Sequence, residues 1–117
     1  MFYLMRHAEA AWNTPTDIER PLTIQGAADL RHSLAQNIAH LQKIKRIVAS
    51  PYLRTQQTAK IVAACLSEFH LNTNACDRNE TLPIISDKNF TPSASLNDAY
   101  KAIEGHWCEN LLVVTHQ

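Results

Sequence analysis

An α/β domain built on a largely parallel sheet is the fold class this sequence predicts, and three observations predict it. Apolar runs of strand length alternate with segments whose apolar residues recur every three or four positions. That alternation is what a parallel sheet with crossover helices requires. The 117 residues suit one domain, and 45% of them are apolar, enough to fill a core. No repeat, low-complexity tract or linker divides the chain.

Residues 2–6 form an apolar run stopped by charge and read as a short buried strand. Residues 7–21 are polar, with a turn signal at Asn13-Thr14-Pro15. Thr23 can cap the helix that follows, on which Ala27, Leu30, Leu34, Ile38 and Leu41 make one apolar stripe. Residues 46–50 read as a second strand ended by Pro51, a residue suited to the first turn of a helix and not to a sheet interior. A second helix is expected over about residues 52–69, with Ala59, Val62, Leu66 and Phe69 on one face. After a polar connection, residues 82–86 read as a weaker strand interrupted by Pro83, and 87–94 as loop. Ser95 can cap a third helix with Leu96, Ala99, Ile103 and Trp107 inward, and residues 111–115 are a clear strand.

Composition excludes several classes. Eleven basic residues balance eleven acidic ones, so the chain lacks the basic excess of a nucleic-acid binder, and any positive site is local. Cys65, Cys76 and Cys108 are odd in number and lack paired spacing, which suggests neither a disulfide framework nor a zinc site and fits a reducing compartment. The opening apolar run is too short and lacks a basic leader for a signal peptide, and no run approaches a membrane span. A cytoplasmic protein without membrane or nucleic-acid partners is expected. Two glycines, Gly26 and Gly105, rule out a glycine-rich nucleotide loop.

Three motifs fall just past predicted strand ends: Arg6-His7-Ala8-Glu9, Ser50-Pro51-Tyr52-Leu53-Arg54-Thr55-Gln56-Gln57-Thr58, and Thr115-His116-Gln117. In parallel α/β sheets ligands bind at the carboxyl ends of the strands, so two histidines and two arginines are expected to converge there. Such a cluster calls for an anion, because like charges repel and burial penalises each of them. Phosphate suits it, since a guanidinium fork grips two phosphoryl oxygens. Nearby arginines also keep an imidazole neutral and nucleophilic near neutral pH.

These motifs resemble those of the histidine phosphatase superfamily, the phosphoglycerate mutase-like fold. Leu-Met-Arg-His-Ala is similar to its Arg-His signature, Ser-Pro-Tyr-Leu-Arg-Thr-Gln-Gln-Thr-Ala to its second block, and Leu-Val-Val-Thr-His to the strand carrying its second histidine. Arg20-Pro21-Leu22-Thr23-Ile24-Gln25-Gly26 is similar to a block of the short SixA-like branch. The resemblance spans essentially the whole chain and implies a three-layer α/β/α domain over residues 1–117. SixA-like proteins continue past the last motif, so the chain is expected to be trimmed at its C-terminus, leaving apolar sheet and helix surface uncovered.

Carried over residue by residue, the resemblance implies that His7 attacks phosphorus and becomes phosphohistidine. Arg6, Arg54 and His116 hold the phosphoryl oxygens, water hydrolyses the intermediate, and no metal or other cofactor is needed. Arg20 either joins this phosphate-binding set or pairs with Asp17 or Glu19. Glu9 is assigned a minor role. Trp12 and Trp107 read as packing residues, and His32, His40, His70 and His106 as residues of helix surfaces or connections without spaced partners. For a general acid, Asp87 and Glu80 are the candidates and neither is compelling. A weak acid position suits an imidazole leaving group, whose own pKa of about 6.5 lets it depart protonated. The implied substrate is therefore a phosphohistidine-containing protein, a phosphotransfer domain or a phosphotransferase carrier. A small-molecule phosphomonoester phosphatase of the same fold and a non-catalytic phosphoprotein-binding module are the alternatives.

Overall fold

The computed structural model describes residues 1–73 and 82–116. Its elements run β1 (Phe2–Arg6), α1 (Ile24–Leu41), β2 (Arg46–Ala49), α2 (Leu53–Thr73), β3 (Ile84–Ser86), a 3₁₀ turn (Lys88–Phe90), α3 (Leu96–His106) and β4 (Leu111–Thr115). The four strands form a parallel sheet in the order β1-β4-β2-β3. The strand last in sequence thus lies between the first two.

Period-two alternation in the strands separates the two faces of the sheet. Ile47, Ala49, Leu112 and Val114 pack with Leu34, Ala59, Val62, Ala63 and Leu66 from α1 and α2. Val48, Leu111 and Val113 face the other way, onto Phe90 and Ala102. Helices therefore cover both faces, which makes the three α/β/α layers. β4 is apolar at four successive positions because it is buried on both faces.

The expected caps form. Thr23 precedes α1 and its Oγ1 accepts from the Gly26 N–H at 2.8 Å; Ser95 does the same for α3 with the Asp98 N–H at 3.1 Å. Gly26 has a steric reason as well, since a Cβ there would stand 2.5 Å from the Glu9 carbonyl oxygen. That close approach ties the segment after β1 to the start of α1, with Thr23 N–H donating to the same carbonyl at 2.9 Å.

Several expectations need correction. β1 is an edge strand, and Leu4 is 59% exposed. β3 begins only at Ile84, because Pro83 cannot donate to a ladder. α2 runs to Thr73, past the expected end. On α3 the buried residue is Ala102, with Ala99 and Ile103 packed beside it, whereas Leu96 and Trp107 are largely exposed. Leu96 borders an open groove of about 650 Å³ between α3 and β1, shared with Leu4 and Tyr100. Trp107 lies past the helix end and leans on the Phe2 ring, 5.9 Å between centroids. Within 87–94 the 3₁₀ turn seats Phe90 in the core. Cys65 and Cys108 are free thiols at the edges of the two cores; Cys76 lies outside the described residues. Among the described residues, no helix is long and apolar enough to cross a membrane.

Candidate active site

Strand order brings the three motifs together. Arg6 pairs in register with Thr115, and Ala49 with Val114, so His7, His116 and Ser50 each lie at or just beyond the carboxyl ends of three adjacent strands. Neighbouring strands are about 4.8 Å apart, which leaves side chains from all three within reach of one point. The His7 N–H donates to the Thr115 carbonyl at 3.0 Å, so the backbones are joined as the strands end.

The two imidazole rings meet edge to face, 5.3 Å between centroids. His7 Nδ1 lies 2.7 Å from the carbonyl oxygen of Ala8. A carbonyl only accepts, so this contact places the ring proton on Nδ1 and leaves the lone pair on Nε2. Facing that nitrogen is Arg54, whose Nε–H reaches it at 3.3 Å. Arg54 is buried in the first turn of α2, where the helix dipole adds to its own charge and favours an anion. Thr58, also buried, locks the two segments to each other. Its Oγ1 donates to the Arg54 carbonyl at 2.8 Å and accepts from the Ala8 N–H at 3.1 Å.

His116 is held by residues of the second motif. Its Nε2 lies 2.9 Å from Ser50 Oγ and its ring stands edge-on to Tyr52, 5.0 Å between centroids. Its Nδ1 is buried and has no hydrogen-bond partner among the described residues. Arg6 and Arg20 complete the positive set: both line a cleft of about 360 Å³ with His7, Ala8, Glu9 and Trp12. Arg20 pairs with Asp17, one of the two readings considered for it, and stands beside the cleft as well. Its Nη1 bonds Asp17 Oδ1 at 3.1 Å, and its Nε donates to the Ala11 carbonyl at 2.7 Å.

Other residues fall differently from expectation. Trp12 is not a core residue: it is exposed, and the Arg20 guanidinium stacks 3.7 Å from its ring centroid. Glu9 bonds the Thr23 hydroxyl at 2.7 Å, supporting the loop. His106 has a partner after all, Asp87, at 2.7 Å. Burial works against the Asp87 carboxylate, but the Asn89 N–H and the His106 ring outweigh it and hold the group below the usual carboxylate range. The Asp87 Oδ1 caps the 3₁₀ turn by accepting the Asn89 N–H at 2.9 Å. Glu80 lies outside the described residues. The residues the motifs did not single out are Asp17, Ser50, Tyr52 and Thr58; the last three stand inside the second motif, and only their contacts give them parts. Among the described residues, no group of three or more His, Cys, Asp or Glu is placed to hold a metal ion.

Both site histidines are held neutral. Burial lowers the His7 pKa, and Arg54, Arg6 and Arg20 lower it further against the raising effect of the Ala8 carbonyl. Burial, Arg54 and the His7 ring take His116 down to about 4. The unfolded chain binds these protons near pH 6.5, so it takes up more protons than the folded one on acidification. Stability that is complete above pH 6.5 is therefore expected to be lost between pH 6.5 and about 4. A bound tetrahedral anion favours imidazolium and is expected to offset part of that loss. Thermal unfolding midpoints across this range, with and without inorganic phosphate, check it; a shallower profile on the His116→Gln variant, with the His7 contribution remaining, supports the assignment, and a flat profile on the parent chain refutes it.

Comparison with known proteins adds to the geometry. The sequence profile of the histidine phosphatase superfamily (branch 1) matches residues 2–77. Phosphohistidine phosphatase SixA of Escherichia coli is 34% identical, over 97% of this chain and 65% of that protein. The chain therefore spans about two thirds of the length of this relative. The probable phosphoglycerate mutase GpmB of Yersinia pestis is 44% identical over 68 residues, 54% of this chain and 31% of the relative. Among solved structures, that of the protein histidine phosphatase SixA complexed with tungstate superposes with a TM-score of 0.74 at 28% identity, covering 98% of this chain and 68% of that one.

Proposed function

Because the chain belongs to the histidine phosphatase superfamily, we propose that it is a cytoplasmic phosphohistidine phosphatase acting on histidine side chains of signalling or phosphotransfer proteins. One observation carries the proposal: the unprotonated Nε2 of His7 faces the Arg54 guanidinium at 3.3 Å with the His116 ring alongside. An electrophilic phosphorus held by that guanidinium presents itself to the lone pair. The comparison structure of SixA holds tungstate, a tetrahedral oxyanion of the same shape as phosphate.

Two displacements follow. His7 Nε2 forms a bond to phosphorus as the P–N bond to the substrate imidazole breaks, and that imidazole leaves as the neutral ring, keeping the proton already carried on its other nitrogen. Water then attacks the phosphorus, the bond to Nε2 breaks, and inorganic phosphate departs. Arg6, Arg20, Arg54 and His116 stabilise the charge on the equatorial oxygens throughout. The chemistry of the leaving group selects the substrate. Asp17 and Asp87 are both held ionised by their partners, so neither supplies the proton an alkoxide needs. Imidazole leaves without such help.

A substrate panel tests this. The kcat/KM for a phosphohistidine phosphotransfer protein is expected to exceed that for phosphoserine peptides and sugar phosphates by about 10²–10⁴-fold, the usual worth of a general acid. Equal or faster turnover of phosphomonoesters shifts the assignment to a small-molecule phosphatase, the direction in which the partial match to the probable mutase GpmB points.

A further inference from the structure

Asp17 stands in the polar loop after β1, more than half exposed, yet it holds two of the site arginines. Its Oδ2 accepts from Arg54 Nη2 at 3.2 Å and its Oδ1 from Arg20 Nη1 at 3.1 Å. Its backbone carbonyl accepts from Arg54 Nη1 at 2.7 Å. The next residue continues the contact, with the Ile18 carbonyl accepting the Leu53 N–H at the start of α2 at 3.0 Å. A guanidinium has five N–H groups. Asp17 takes one from each terminal nitrogen of Arg54, while the Nε–H points at His7.

We propose that Asp17 is a positioning residue, clamping Arg54 and Arg20 through their terminal nitrogens so that their remaining N–H groups form one preset grip for a phosphoryl group. The inference rests on the functional reading above and adds a residue to it. A long arginine side chain has many rotamers, and fixing it before the substrate arrives removes an entropy cost from binding. The carboxylate also links Arg54 to Arg20, so the two guanidiniums are set relative to one another.

Simple charge counting predicts the opposite of this role. Removing a negative charge beside an anion pocket ought to strengthen anion binding. If Asp17 merely occupied the arginines until phosphate displaced it, its loss would do the same. Positioning predicts weaker binding, and the sign of the effect separates the two.

The experiment measures inorganic phosphate and tungstate binding by calorimetry on the parent chain and on Asp17→Ala, Asp17→Asn and Asp17→Glu. Asp17→Ala is expected to bind phosphate about tenfold more weakly, within the range that misplacing a binding group produces. Arg54 is buried and loses a partner in this variant, so some loss of stability is expected, and the thermal midpoint is measured to establish that the variant is folded at the assay temperature. Asp17→Glu is expected to recover part of the affinity. In the Arg54→Lys background, whose ammonium lacks the fork that Asp17 aligns, Asp17→Ala is expected to cost little more, the non-additivity of residues acting through one another. Unchanged or tighter phosphate binding by Asp17→Ala overturns the positioning role, as does a loss equal in both backgrounds. A parent chain that binds neither anion overturns the phosphatase reading itself, and the positioning role with it.

Discussion

His7→Ala is expected to lower turnover of a phosphohistidine protein by roughly 10⁴-fold or more, the scale seen when a covalent nucleophile is removed. The ring is half-buried, and its packing against His116 is partly replaceable, so the variant is expected to fold. Arg54, Arg20 and Arg6 remain in place, so inorganic phosphate is still expected to bind. Two measurements separate chemistry from binding. Labelled phosphoryl donor leaves acid-labile label on the parent chain and none on the variant, while calorimetry finds anion affinity in both. Undiminished hydrolysis by the variant would remove His7 from the reaction.

Arg54→Ala is expected to reduce kcat/KM by about 10²–10³-fold, as losing one preorganised donor to a developing oxyanion does. Arg54 faces the nucleophile, stands at a helix N-terminus and receives the loop through Asp17, so its truncation removes charge, dipole alignment and loop docking together. Arg54→Lys restores the charge without the planar fork and is expected to recover only part of the activity. Circular dichroism and thermal unfolding of both variants distinguish a misplaced loop from an unfolded chain. Activity within threefold of the parent in a folded Arg54→Ala protein contradicts the role given to this residue.

Much of the architecture was legible in the chain. Strand and helix periods placed the seven main elements found among the described residues, and Thr23 and Ser95 announced two helix starts. Period tells which way a side chain faces, but it does not tell which strands are neighbours. That β4 inserts between β1 and β2 is a property of the assembled sheet, and it is the reason three distant motifs share a site. The same limit applies to single residues. Asp17 is one acid in a polar loop, with nothing periodic to distinguish it. His106 and Asp87 lie 19 residues apart and find each other only through packing. Leu96 has the spacing of an inward residue and is nonetheless exposed, because the groove beside β1 stays open among the described residues. Arg6, His7, Arg54 and His116 were conspicuous for the opposite reason: each immediately follows an apolar run or opens a helix after one, where a charged or titratable group has chemical meaning.

The contact between the His7 ring and the Ala8 carbonyl also decides a matter of regiochemistry. Imidazole can carry a phosphoryl group on either nitrogen, and the two isomers differ in stability and in their nuclear magnetic resonance signatures. With the pros nitrogen committed to a carbonyl 2.7 Å away, only the tele position is open to substitution. If His7 carries the phosphoryl group as proposed, the expected intermediate is tele-phosphohistidine, the longer-lived of the two isomers in water.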